Sequence, residues 1–305
     1  MKRLALFAIA VFLIAPLAFS ASSRFLVIAW NNPSHEWTRA LGISVIRMGC
    51  SSAPESCART ANRIADGEQV SSVLIAILLK TATLTQYAAD YAHLSSSHPE
   101  IAEIGFDDFV RQADNTGLAG EALSSLLNDF AARLHSRGSR LKWGITVYQD
   151  ELWNGRLAKL GLDEDTRRAV DAVHLFPHYR KEPVPLEKSI SEAKRLFPNA
   201  AIFLGNYAYD RREYLPCSPH GARCSDQEEI SLFERNLQES LNLAKQGDVA
   251  GLEFYPGNFG EEASWKLWEN PRSCKQGERQ LCVQTTQAMV ADLRKMFDTG
   301  EGVAH

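Results

Sequence analysis

Eight short apolar runs, separated by stretches with helical periodicity, set the strongest limit on what this chain can fold into. The runs are Phe25–Trp30, Ser44–Met48, Ser72–Leu79, Ala102–Phe109, Leu141–Tyr148, Asp171–His178, Ala201–Tyr207 and Gly251–Tyr255. Runs of this length, bounded by turn signals, suit strands buried on both faces, as in a parallel sheet. Between them apolar residues recur every three or four positions, as in Leu123, Leu126, Leu127, Phe130 and Leu134, or Ile230, Phe233, Leu237, Leu241 and Ala244. That spacing predicts amphipathic helices, and Arg137-Gly138-Ser139 and Gln246-Gly247-Asp248 supply stop signals. Eight such units predict an α/β fold, a single closed (β/α)8 barrel over residues 22–305, with an open doubly wound sheet as the alternative. The second unit is the weakest, because the helical stretch at Trp37–Leu41 is short and Ser44–Met48 is a modest strand.

Residues 1–21 read as a signal peptide. Lys2 and Arg3 precede an apolar stretch from Leu4 to Phe19, and Ser20, Ala21 and Ser22 offer the small-residue cleavage site. The apolar stretch is short for a membrane span and leads into Arg24, which predicts cleavage near Ala21, a secreted or periplasmic protein, and no stable membrane anchor afterwards. In such a compartment the six cysteines, which fall in close pairs, predict the disulfides Cys50–Cys57, Cys217–Cys224 and Cys274–Cys282. The pairs lack CxxC spacing and nearby histidines, so no metal site is expected. A formal net charge of −4 gives no support to nucleic-acid binding.

Barrel active sites are built at the C-terminal strand ends. Those ends gather Trp30-Asn31-Asn32, Asp107-Asp108, Tyr148-Gln149-Asp150, His178-Tyr179-Arg180, Asn206-Tyr207 with Asp210, and Glu253 with Tyr255, whereas the opposite ends carry plain residues such as Ser72, Lys142 and Ala201. Carboxylates, amides and aromatic rings on one rim suit a carbohydrate, whose hydroxyls need acceptors and donors and whose apolar faces pack on rings. The candidate catalytic residues are Asp107 and Asp108. The candidate substrate-binding residues are Trp30, Tyr148, Asp150, His178, Tyr179, Asn206, Asp210, Glu253 and Tyr255. His174 is deeper in its strand and reads as a hydrogen-bonded core residue. No phosphate-cradling glycine loop, GxSxG elbow or HExxH motif occurs, and no cofactor is expected.

Three pieces resemble glycoside hydrolase family 84, the O-GlcNAcase and bacterial hyaluronidase type of N-acetyl-β-glucosaminidase. They are Phe106-Asp107-Asp108-Phe109, Thr146-Val147-Tyr148, and Asn206-Tyr207 followed by Asp210. The resemblance implies substrate-assisted hydrolysis, in which the sugar's own acetamide oxygen is the nucleophile. It casts Asp107 as the group that orients the acetamide and Asp108 as general acid, with Tyr148 positioning the acetamide and Asn206 and Asp210 holding hydroxyls. Two alternatives stay open: an acid/base pair of Asp108 with Glu253 or Asp150, and a non-catalytic glycan-binding barrel. Asp226 is expected to cap the helical stretch that follows it. One geometric condition attaches to the acid pair. Adjacent residues of a regular strand face opposite sides, so both aspartates serve one site only if the strand has ended or bulged by Asp107.

Overall fold

The computed structural model describes residues 26–30, 38, 42–136, 138–207, 216–219, 221 and 224–255, with backbone alone at 226, 227, 229, 230, 258–259 and 262–263. The signal peptide, Asn31, Asn32, the Trp37–Leu41 helical stretch, Asp210 and the Cys274–Cys282 pair fall outside the described residues or, for the stretch, almost wholly so.

All eight strands form, and in sequence order they close into a parallel barrel. They are β1 (Leu26–Trp30), β2 (Val45–Gly49), β3 (Ser72–Ile77), β4 (Ile101–Phe106), β5 (Lys142–Tyr148), β6 (Ala172–Phe176), β7 (Ala201–Tyr207) and β8 (Gly251–Tyr255). The weak second unit is secured by its neighbours: β2 pairs with β1 through Ile28↔Val45 and with β3 through Val45↔Ser72. The ring closes where β1 meets β8, with Ile28 opposite Glu253. A small antiparallel pair, β9 (Asn258–Phe259) with β10 (Glu262–Ala263), follows the barrel.

The described helices are α1 (Pro54–Glu68), α2 (Leu84–Leu94), α3 (Phe109–Thr116), α4 (Gly120–Leu134), α5 (Gln149–Trp153), α6 (Arg156–Lys159), α7 (Glu164–Ala169), α8 (Leu186–Leu196) and α9 (Asp226–Lys245). The cap of α9 is Ser225 rather than Asp226. The Ser225 hydroxyl accepts the Glu228 N–H while the Glu228 carboxylate accepts the Ser225 N–H at 2.8 Å, a reciprocal box that a Ser-x-x-Glu spacing provides.

Helices cover the outward strand faces. Phe106 of β4 and Trp143 of β5 meet Phe109 and Phe130 of α3 and α4, with Phe106 and Phe130 centroids 5.1 Å apart and Phe130 to Trp143 5.7 Å. Each such buried ring contributes about 1.5–3 kcal/mol. The inward faces stack in layers. Ile28, Val45, Leu74, Ala172 and Phe203 fill the N-terminal end. Above them lies a charged layer of Arg47, Glu103, His174 and Glu253, and above that an aromatic layer of Trp30, Phe176, Tyr148, Tyr207 and Tyr255. Gly144 makes the charged layer possible, since a Cβ there would collide with the Glu103 carboxylate. Two disulfides, Cys50–Cys57 and Cys217–Cys224, are formed. No helix among the described residues is long and apolar enough to cross a membrane.

Candidate active site at the barrel mouth

β4 ends at Phe106, short of the expected Phe109, and this satisfies the condition on the acid pair. Phe106 points outward into the aromatic cluster, so Asp107 turns inward. The chain then reverses at Asp108, whose φ of 46° and ψ of 49° lie in the left-handed region, before α3 begins. A non-glycine residue there costs of order 1 kcal/mol, and Asp is among the residue types that tolerate it best. The turn brings the Asp108 carboxylate back toward the mouth, where Oδ1 accepts the Tyr148 hydroxyl at 2.6 Å. Its other oxygen pairs with Arg111 on the first turn of α3. Asp107 accepts the Thr146 hydroxyl, and Arg47 Nη2 in turn donates to Thr146 Oγ1 at 2.9 Å.

Burial pushes the Asp107 carboxyl above the usual range. Arg47 opposes that shift, and the neighbouring Asp108 and Glu253 charges reinforce it. Burial also holds the Tyr148 and Tyr207 phenols above their ordinary value, so both remain protonated donors at neutral pH. Their hydroxyl oxygens lie 3.4 Å apart, which puts two phenols beside the two acids. Tyr207 further meets Tyr255 edge-on at 5.5 Å, and Tyr255 meets Trp30 at 5.7 Å. The Arg47 guanidinium lies over the Trp30 ring, 4.7 Å from its centroid.

On the next stretch of rim, His178 stacks on Tyr148 with centroids 4.3 Å apart, and its Nδ1 is 2.9 Å from Asp150. Burial opposes the charged imidazole, but Asp150, Glu151 and Glu182 together lift its pKa. Tyr179, half-buried, packs at a tilt against His178. Glu151 accepts the Tyr148 N–H at 3.0 Å, fixing the strand end that carries the phenol. Burial raises the Glu151 carboxyl to about 7 despite that N–H and Arg156.

Two sequence-derived assignments move. Glu253 lies one layer below the mouth with no exposed surface, paired to Arg47 at 3.1 Å and to His174 Nδ1. It therefore cannot touch a substrate, and the pairing of Asp108 with Glu253 loses its geometry. Asn206 faces the wrong way for a sugar: with Tyr207 inward, the period of two turns Asn206 toward α9. There its Nδ2 donates to Leu204 O at 3.1 Å and its Oδ1 accepts the Ser240 hydroxyl at 3.5 Å. His174 is a core residue, its Nε2 3.0 Å from Glu103 and its ring stacked on Phe203. Sequence reasoning passed over Arg47, Glu103 and the inward role of Tyr207. The available signal was period two: Arg47, Glu103, Tyr207 and Glu253 all occupy inward positions of strands that are otherwise apolar.

No protein-family model and no curated protein sequence matches the chain. Among solved structures, β-glucuronidase 2 of Bacteroides uniformis superposes with a TM-score of 0.50 at 14% identity, over 79% of this chain and 31% of that one. A GH18 chitinase from Pseudoalteromonas aurantia gives 0.48 at 14% identity over 82% and 100%, and the Bacillus cereus spore cortex-lytic enzyme SleL gives 0.48 at 12% over 80% and 73%. At 14% identity the likeness to the glucuronidase concerns the fold alone, and the chemistry must come from the residues at the barrel mouth.

Proposed function

We propose that the protein is an exported glycoside hydrolase acting on 2-acetamido sugars, with Asp107 and Asp108 as its catalytic pair. The observation that carries this reading is the left-handed turn at Asp108, which sets both carboxyls at the mouth beside Tyr148, whose hydroxyl donates to Asp108. Leader, disulfides and rim composition agree with an enzyme working on glycans outside the cytoplasm.

In this reading the acids divide the labour in the opposite sense to that implied by the family 84 resemblance. Asp107, whose carboxyl is pushed up by burial and by its acidic neighbours, delivers its proton to the departing glycosidic oxygen. The acetamide oxygen attacks the anomeric carbon as that bond breaks, giving a cyclic oxazolinium ion that keeps its N–H. Asp108, aimed by Tyr148 and Arg111, accepts the acetamide N–H and balances the positive charge that develops on the ring. Water then opens the oxazolinium ring, with Asp107, now a carboxylate, taking its proton. Trp30, Tyr207 and Tyr255 offer ring surface to the sugar, and His178, held by Asp150, stacks on Tyr148 beside them.

The test compares aryl β-N-acetylglucosaminide with aryl glucoside and glucuronide. Turnover of the acetamido substrate, blocked by a thiazoline analogue of the cyclic intermediate, is the expected result. Turnover confined to sugars lacking the acetamide would overturn the mechanism. Binding of glycans without turnover of any would leave a lectin-like barrel in its place.

A further inference from the structure

Asp108 is aimed by the Tyr148 hydroxyl, so whatever sets that phenol also sets the acid. Tyr148 ends β5, and its N–H is held by Glu151 at 3.0 Å. Its ring is covered by the imidazole of His178, with centroids 4.3 Å apart and planes 18° from parallel. His178 is placed there from two sides. Its own N–H and that of Tyr179 both donate to Glu182 Oε1, which closes the turn after β6. Its Nδ1 is 2.9 Å from Oδ1 of Asp150, on the first turn of α5. A carboxylate only accepts, so Nδ1 carries a proton in both charge states, and the proton that comes and goes is the one on Nε2.

We infer that His178 and Asp150 are a positioning pair for Asp108, with the imidazolium, stacked on the Tyr148 ring, strengthening the hydroxyl that Tyr148 donates to that acid. This role rests on the hydrolase reading, and it gives His178 a duty other than the sugar contact expected from its place on the rim. A cation over the face of a phenol is attracted to the ring and draws electron density from it, which makes the O–H a better donor. Loss of the Nε2 proton removes that pull while leaving the stack in place. The groups that face the imidazole are Asp150 and Glu151 from α5, Glu182 from its own segment, and the phenols of Tyr148 and Tyr179, with Arg156 of α6 beyond, 3.4 Å from Glu151. Burial opposes the imidazolium, but the three carboxyls outweigh it and lift its pKa above the ordinary histidine value. The tighter hold on Asp108 is therefore present at low pH and lost as pH rises through the His178 value.

The test is the pH dependence of kcat/KM on the aryl β-N-acetylglucosaminide with the best leaving group, where proton donation by Asp107 matters least. The wild type is expected to step down by about two- to fivefold as His178 loses its proton, the step coinciding with the His178 titration followed by imidazole NMR. His178→Phe, which keeps a ring on Tyr148 but carries no charge, should remove the step and sit at the wild type's alkaline level. Asp150→Asn should move the step about one pH unit lower, and it supplies the same test if His178→Phe does not fold. In a Tyr148→Phe background, His178→Phe should cost nothing more, because the pair acts through that hydroxyl. An active wild type with no step, a step that survives in His178→Phe or stays put in Asp150→Asn, or losses that add in full in the double variant would overturn the pairing and leave the hydrolase reading standing. A wild type that turns over none of the acetamido substrate would overturn both.

Discussion

The barrel interior and the barrel mouth both carry ionisable groups, one layer apart, and treat them in opposite ways. In the interior, each charge is matched: Arg47 with Glu253, and His174 between Glu253 and Glu103. Burial opposes their charges, yet the attraction of Glu253 and Glu103 lifts Arg47 and His174, and the two cations lower the Glu253 carboxyl. At the mouth, Asp107 has a like charge beside it, and burial together with that neighbour pushes its carboxyl above the usual range. The contrast separates structure from chemistry. A fully matched quartet has no proton to give, whereas a carboxyl with an unfavourable neighbour does. Arg47 joins the two regions, donating both to Glu253 and to Thr146, which holds Asp107.

This comparison breaks most readily at Arg47. Arg47→Met leaves Glu253 and Glu103 buried with one cation fewer, and stability in urea is expected to fall by about 3–5 kcal/mol. Asp107→Asn should do the reverse. It should cost activity of the order of 10²–10⁴-fold, while stability at pH 8 holds or rises because no buried carboxylate must be formed. A large loss of stability in Asp107→Asn, measured by the same urea titration, would place Asp107 in the structural layer. Tyr148→Phe removes one donor from Asp108 and should lower kcat by about fivefold, corresponding to a hydrogen bond of about 1 kcal/mol. Because Asp108 keeps Arg111, its fold should be unaffected.

The smallest expected effect concerns pH. Glu151 titrates near 4.5 when unfolded and at about 7 in the fold. Between those values the native state holds more protons than the unfolded state, so Glu151 makes stability decline as pH rises through that window. Glu182 adds to the same slope. Glu151→Gln should flatten the curve of unfolding free energy against pH between 4.5 and 7, and an unchanged slope would mean that Glu151 is well solvated.

How much of this was written in the sequence follows from which kind of signal each part leaves. The barrel was legible because burial on two faces imposes long apolar runs, and all eight strands fall within two or three residues of their expected bounds. The acid pair stood out for the same reason, as charge interrupting an apolar pattern. What misled was assigning residues to the rim by proximity to a strand end rather than by parity. Asn206 and Glu253 are both near the ends of their strands, but one points at α9 and the other lies beneath the aromatic layer. Arg47 went unnoticed because a lone charge in VIRMG resembles an exposed edge, and its partners Thr146 and Glu253 lie 99 and 206 positions away. The turn at Asp108 carries no local signature, since it arises from fitting α3 against β4 and β5.

The central claim, that the two aspartates divide proton donation from acetamide orientation, is tested most directly by leaving-group dependence. Asp107→Asn and Asp108→Asn would each be assayed on aryl β-N-acetylglucosaminides whose phenols range from good to poor leaving groups. If Asp107 is the proton donor, its variant retains turnover on the best leaving group and loses it steeply as the phenol becomes more basic, while Asp108→Asn slows all substrates alike. The opposite pattern, with the steep dependence in Asp108→Asn, would return the roles to those implied by the family 84 resemblance and contradict the assignment of the proton to Asp107, whose carboxyl burial pushes up.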